Sequence, residues 1–131
     1  MIALDTNVLL RFVLADAKEP HTAIAERWMR RHARHGIYVD DVVLCEAEWV
    51  LRARYRWTRA AVAELLGELC DSSVLTLSEP SIARHALAAY RAGTGDYSDY
   101  LIRERARHFG AEPVATLDRH VGRERGFQLL G

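Results

Sequence analysis

The chain has 131 residues, 18 basic and 18 acidic side chains, zero formal net charge, and half of its residues hydrophobic. That length suits one domain over residues 1–131 with a proper core, and the apolar share excludes a disordered chain. No apolar run approaches the ~18 residues of a membrane span, and no basic segment leads into a long apolar one, so a cytoplasmic protein without a secretory signal is expected.

Of the 18 basic residues only Lys18 is lysine; the other 17 are arginine. Arginine contacts phosphates bidentately and stacks on bases, although a GC-rich genome also enriches it. If some acids gather around a metal, the remaining surface becomes net basic and suits a polyanionic partner.

In chain order, Ile2-Ala3-Leu4 is a short apolar run that stops at Asp5-Thr6-Asn7, as expected of a buried parallel strand. A short helix follows from Val8 to about Leu14, then a loop through Asp16-Ala17-Lys18. Pro20 suits the first turn of a helix running to about Arg34. On it Ile24 and Trp28 define an apolar side, while Arg27, Arg30, Arg31 and Arg34 share one face, either solvated or in contact with nucleic acid. Gly36 ends it, and Ile37-Tyr38-Val39 is the second strand. Asp40-Asp41 opens a helix from about Val42 to Arg56, and Thr58 caps a helix to about Cys70. Val74 to Leu77 is the third strand. Ser78 caps a helix to about Tyr90, the loop at 92–95 follows, and a helix runs from Tyr97 to Phe109. Pro113 to Leu117 is the fourth strand, followed by a short helix near Arg119 to Glu124 and a last strand from Phe127 to Leu130. Alternating strands and helices imply an α/β domain: a central parallel sheet of four to five short strands with helices on both faces. Cys45 and Cys70 fall in helices, match no CxxC or Cys/His zinc pattern, and are expected to be buried reduced thiols.

Four acids stand out. Asp5 and Asp118 end the first and fourth strands, on the edge where open α/β sheets bind ligands; each is either a helix cap or a functional carboxylate. At ~100° per residue, Glu46 falls among Val42, Val43, Trp49, Val50 and Ala53, which directs it toward the interior. Glu48 falls outside that cluster as a surface acid with Arg52 at i+4. Asp99 lies in the first turn of its helix, at the edge of the arc of Ile102, Ala106 and Phe109, with Arg103 at i+4. Asp96 is placed to cap that helix, with Asp99 at N3. Hard oxygen ligands gathered from Asp5, Glu46, Asp99 and Asp118 suit Mg²⁺ or Mn²⁺.

The chain resembles PIN-domain ribonucleases, and within them the VapC toxins of toxin–antitoxin pairs. The resemblance rests on LDTNVLLRFVL (4–14), VVLCEAEWVLRARY (42–55), GDYSDYLIRERARHFGA (95–111) and VATLDRH (114–120). It implies a PIN-like fold, with the family's acids on Asp5, Glu46, Asp99 and Asp118 and the frequent additional acid on Asp96. The polar positions beside the first and last acids are Thr6, Asn7 and Thr116. It further implies an Mg²⁺- or Mn²⁺-dependent endoribonuclease, a small VapB-like antitoxin partner and a homodimer. Asp40 departs from the small hydroxyl residue common at the end of the second strand, and Arg103 and Glu104 replace small residues after the third acid.

Such a site would use water as nucleophile, leaving 5′-phosphate and 3′-hydroxyl ends. Asp5, Asp99 and Asp118 would hold the metal, with Asp96 and Glu46 supporting it or a second one. Arg11, Arg52, Arg56 and Arg119, close in sequence to the acids, are candidate phosphate contacts. One rival is an aspartyl-phosphate phosphohydrolase with Asp5 as nucleophile, but Asn7 stands where that chemistry wants a second acid, and the sole lysine comes early. The other is a non-catalytic RNA- or protein-binding module. An antitoxin tail would lie along the helices between Pro20 and Cys70.

Overall fold

The computed structural model describes residues 1–131. Its elements are β1 (Ile2–Ala3), α1 (Thr6–Leu14), α2 (Pro20–His32), a 3₁₀ turn (Ala33–His35), β2 (Ile37–Val39), α3 (Asp41–Ala53), α4 (Arg59–Asp71), β3 (Leu75–Leu77), α5 (Pro80–Ala92), α6 (Tyr97–His108), β4 (Val114–Thr116) and β5 (Phe127–Leu129). The α/β alternation read from the sequence is present.

Strands β1, β2 and β3 form a parallel sheet in that order, with Ile2 opposite Ile37 and Ile37 opposite Leu75. Strands β4 and β5 form a separate parallel pair, Val114 opposite Phe127. The sheet is therefore three strands plus two, not one sheet of four to five. A two-residue β1 offers few ladder groups, and those of Ile2 and Leu4 go to Gly36 and Tyr38. Asp5 and Asp118 thus end strands of different sheets.

Ile37 and Val39 are fully buried in β2. Around them α1 packs on α2 and α3, α3 on α4, α4 on α5, and α5 on α6. Local chemistry explains most helix starts. Asp5 caps α1, Asp40 caps α3 by accepting from the Val42 amide (2.8 Å), and Thr58 caps α4 by accepting from the Ala61 amide (3.1 Å). Pro20 and Pro80 stand in first turns, where a missing N–H costs nothing. Glu79 rather than Ser78 occupies the N-cap of α5.

The expected helix near Arg119–Glu124 is a series of turns closed by Gly122 N–H to Asp118 C=O (2.9 Å) and Glu124 N–H to Val121 C=O (2.9 Å). Gly122 fits there because a Cβ would meet Leu129 at 2.7 Å. Cys45 and Cys70 are half-buried and free, and burial pushes the Cys45 thiol up to about 11. No helix is long and apolar enough to cross a membrane.

Candidate active site

The chain leaves β1 through buried Leu4 and turns into α1 at Asp5, whose Oδ1 accepts from the Val8 amide at 3.1 Å. The next residue, Thr6, donates its hydroxyl to Glu46 Oε1 on α3 at 2.6 Å. Asp5, Thr6, Asn7 and Glu46 line one cleft of about 300 Å³, together with Arg11 and Arg54.

Glu46 reaches this cleft because it points outward, contrary to the inward direction read from the helical wheel. The buried stripe of α3 is Leu44, Ala47, Glu48 and Leu51, spaced i, i+3, i+4 and i+7, while Val42 and Trp49 are 61% and 55% exposed. Helix α3 is apolar on most sides, so periodicity alone permits either face. Glu48, expected at the surface, is 1% exposed. Its burial is tolerated because its oxygens are hydrogen-bonded throughout. Oε1 accepts from the Tyr97 amide (3.1 Å), and Oε2 accepts from Arg52 Nε and from the Tyr90 hydroxyl (3.2 Å).

At the entry of α6, Asp96 is the N-cap and Asp99 sits at N3, as expected. Asp99 Oδ2 accepts from the Asp96 amide at 2.9 Å. Burial raises the Asp99 carboxyl above its usual range; the Asp96 amide works against this, and the charges of Asp96, Asp118 and Glu48 add to the rise. Arg103 does not partner Asp99: it is buried, reaches Glu104 and the Arg125 carbonyl, and lies over the Tyr100 and Phe127 rings. Ile102 and Phe109 are exposed, so the core face of α6 is Tyr97, Tyr100 and Leu101. Gly95, just before Asp96, admits no side chain, since a Cβ would lie 2.1 Å from Val121.

Asp118 follows β4. Its amide donates to Thr116 Oγ1 (3.0 Å) and its Oδ1 accepts from the His120 amide (2.7 Å), so it organises a turn rather than a helix.

The four acids share one feature. Asp5, Glu46, Asp99 and Asp118 each accept one hydrogen bond on one oxygen, the other oxygen has no protein hydrogen bond, and none forms an ion pair. Asp96 differs, because Arg52 bridges it to Glu48. These oxygens, with the Thr6 and Thr116 hydroxyls, fit a hard divalent cation in kind. They are not drawn into a closed cluster, since no three His, Cys, Asp or Glu side chains stand within reach of one ion. Four like charges have nothing to gain from closing up alone.

Among the candidate phosphate contacts, Arg11 stands at the cleft, 3.9 Å from Glu19. Arg52 is engaged with Glu48 and Asp96 instead of lying open. Arg56 and Arg119 are exposed, Arg56 in the left-handed region with φ 57°. Arg54 also lines the cleft, because Glu46, Val50 and Arg54 at i, i+4 and i+8 fall on one face of α3.

The PIN domain family matches residues 2–124, and the chain belongs to it. It is also similar to a VapC ribonuclease of Aquifex aeolicus (strain VF5), 24% identical over 132 residues that cover 99% of this chain and 96% of that protein.

Proposed function

We propose that the protein is a metal-dependent endoribonuclease that hydrolyses RNA to 5′-phosphate and 3′-hydroxyl ends and serves as the toxin of a toxin–antitoxin pair. The observation that carries this is the set of Asp5, Glu46, Asp99 and Asp118, each with a free oxygen and no ion-pair partner, in a PIN-domain chain. The ribonuclease named for the Aquifex relative supports the choice of RNA.

Asp5, Asp99 and Asp118 would hold an Mg²⁺ or Mn²⁺ ion, with Glu46 in support. The ion would supply positive charge at the scissile phosphate and lower the pKa of water there. The chain's own residues orient the ligands. Thr6 holds Glu46 by its hydroxyl, Thr116 receives the Asp118 amide, and the Asp96 amide fixes one oxygen of Asp99. Arg11 and Arg54 stand at the cleft where a phosphate would approach Asp5 and Glu46.

An antitoxin segment would dock on the face formed by α1, α2 and α4. A groove of about 710 Å³ opens between α1, α2 and α4, lined by Leu9, Phe12, Met29, Trp57 and Leu65, with Arg30 and Glu64 among its polar groups. It suits an amphipathic helix. Trp28, on the apolar side read for α2, lies outside this groove, in a hollow with Ile24 and Arg31. Leu65→Asp should therefore weaken capture of the antitoxin more than Trp28→Ala does.

The deciding experiment incubates purified protein with structured RNA and Mg²⁺ or Mn²⁺, with EDTA and Asp99→Asn as controls. Cleavage to 5′-phosphate ends that stops in both controls is expected. Cleavage that persists in EDTA or in the variant would refute the metal site. RNA bound without any cleavage would make the chain a binding module.

A further inference from the structure

We propose that Glu48 and Arg52 are positioning residues that lock the first turn of α6, and with it Asp99, against the helix that carries Glu46. This rests on the nuclease assignment above and adds two residues that touch none of the reacting atoms.

Leu44, Ala47 and Leu51 surround Glu48 on the buried stripe of α3, where an aliphatic side chain would complete the core. A buried ion pair is seldom more stable than apolar residues of similar volume, and its better-attested use is to specify one arrangement among several. The bonds here are directional, and two of them run to the α6 entry. Glu48 receives the Tyr97 amide in the first turn of α6, and Arg52 carries the link on to Asp96, the cap.

A second arginine closes the other side. Arg59 donates to the carbonyls of Gly95 (2.7 Å) and Tyr90 (2.8 Å), and lies 4.0 Å over the Tyr90 ring. Tyr90 in turn donates its hydroxyl to Glu48. The backbone ahead of Asp99 is thus held from α3 and α4 through one connected network. Asp96 is compensated by Arg52, while Asp99 keeps a free oxygen.

The test separates geometry from stability by comparing wild type, Glu48→Gln, Arg52→Lys and the apolar pair Glu48→Leu/Arg52→Met. Each is titrated with Mn²⁺ and followed by melting temperature without RNA, then assayed for kcat and KM on RNA. Lysine keeps the charge of Arg52 but loses the planar fork that spans two carboxylates. Supporting shells of this kind alter metal affinity or activity by about 10- to 100-fold.

The expected result is a weaker Mn²⁺ midpoint and a lower kcat of that order in all three variants, with KM for RNA little changed. The apolar pair should show this even with a wild-type melting temperature. An apolar pair that melts, binds Mn²⁺ and cleaves like wild type would overturn the proposal by reducing the network to ordinary core. If Glu48→Gln fails to fold, Arg52→Lys decides alone, and an unchanged midpoint and kcat in that variant overturn the proposal. Wild type that neither responds to Mn²⁺ nor cleaves would bring down the nuclease assignment and the positioning role together.

Discussion

Glu46 and Glu48 stand two residues apart on α3 and occupy opposite surroundings. Glu46 is exposed at a cleft, held by one hydroxyl, with one oxygen free. Glu48 is buried with three hydrogen-bond donors and no free oxygen. About 200° of helix turn separates them, so one faces a prospective ligand and the other the core. The two carboxylates differ in their partners: Glu46 keeps an oxygen without a hydrogen bond, and Glu48 does not.

The largest effect should follow from breaking the buried side. Glu48→Ala leaves Arg52 with Asp96 alone and strands the Tyr97 amide and the Tyr90 hydroxyl; at about 1–3 kcal/mol for each buried donor left unpaired, it should give a clearly lower denaturation midpoint. Glu48→Leu/Arg52→Met should recover most of it. Failure of the single variant to destabilise would show that the network contributes little to folding.

Glu46→Gln should do the reverse. Unfolding free energy should stay within about 0.5 kcal/mol, as for most surface changes, while cleavage falls by about 10- to 100-fold, the scale of losing a group that supports a metal ion. Retained cleavage would remove Glu46 from the machinery.

The local placement of several candidate site residues was legible in the sequence. Asp5 and Asp118 at strand ends, and Asp96 as cap with Asp99 at N3, follow from local rules of turns and caps, and these hold in the structure. The face of α3 was not legible. Val42, Val43, Leu44, Ala47, Trp49, Val50 and Leu51 leave two apolar arcs, and which one is buried depends on residues 40 to 50 positions away that satisfy Glu48. The same ambiguity affects Ile24 on α2 and Ile102 on α6, both 54% exposed. The pairing of β4 with β5 instead of β1 was equally hidden, because it is set by long-range packing of three-residue strands.

Asp41, a third acid on α3, lies between the two extremes. It is 1% exposed with one oxygen on Arg105, and its Oδ1 has no partner. Burial raises its pKa, against the opposing charge of Arg105. The folded state therefore holds the Asp41 proton more tightly than the unfolded state, so this group's contribution to stability grows as pH falls through the raised pKa and is lost as pH rises through it. Asparagine does not titrate. The melting-temperature difference between wild type and Asp41→Asn should shift in favour of wild type as pH drops from neutral toward about 4, the ordinary carboxylate value. A difference independent of pH would mean that Asp41 titrates normally.

The smallest effect tests which face of α3 is buried. Trp49 is 55% exposed and Leu44 fully buried. Trp49→Ser should cost less than about 1 kcal/mol, since most of the ring already meets water, whereas Leu44→Ala should cost about 2–5 kcal/mol through lost burial and the cavity left behind. If the helix were turned so that Glu46 faced inward, Trp49 would lie in the core and truncating it would cost about 3–5 kcal/mol, reversing the order. Chemical denaturation of the two single variants decides it. The order also determines whether Glu46 can face a ligand at all, because any rotation of α3 that buries Trp49 carries Glu46 away from Thr6.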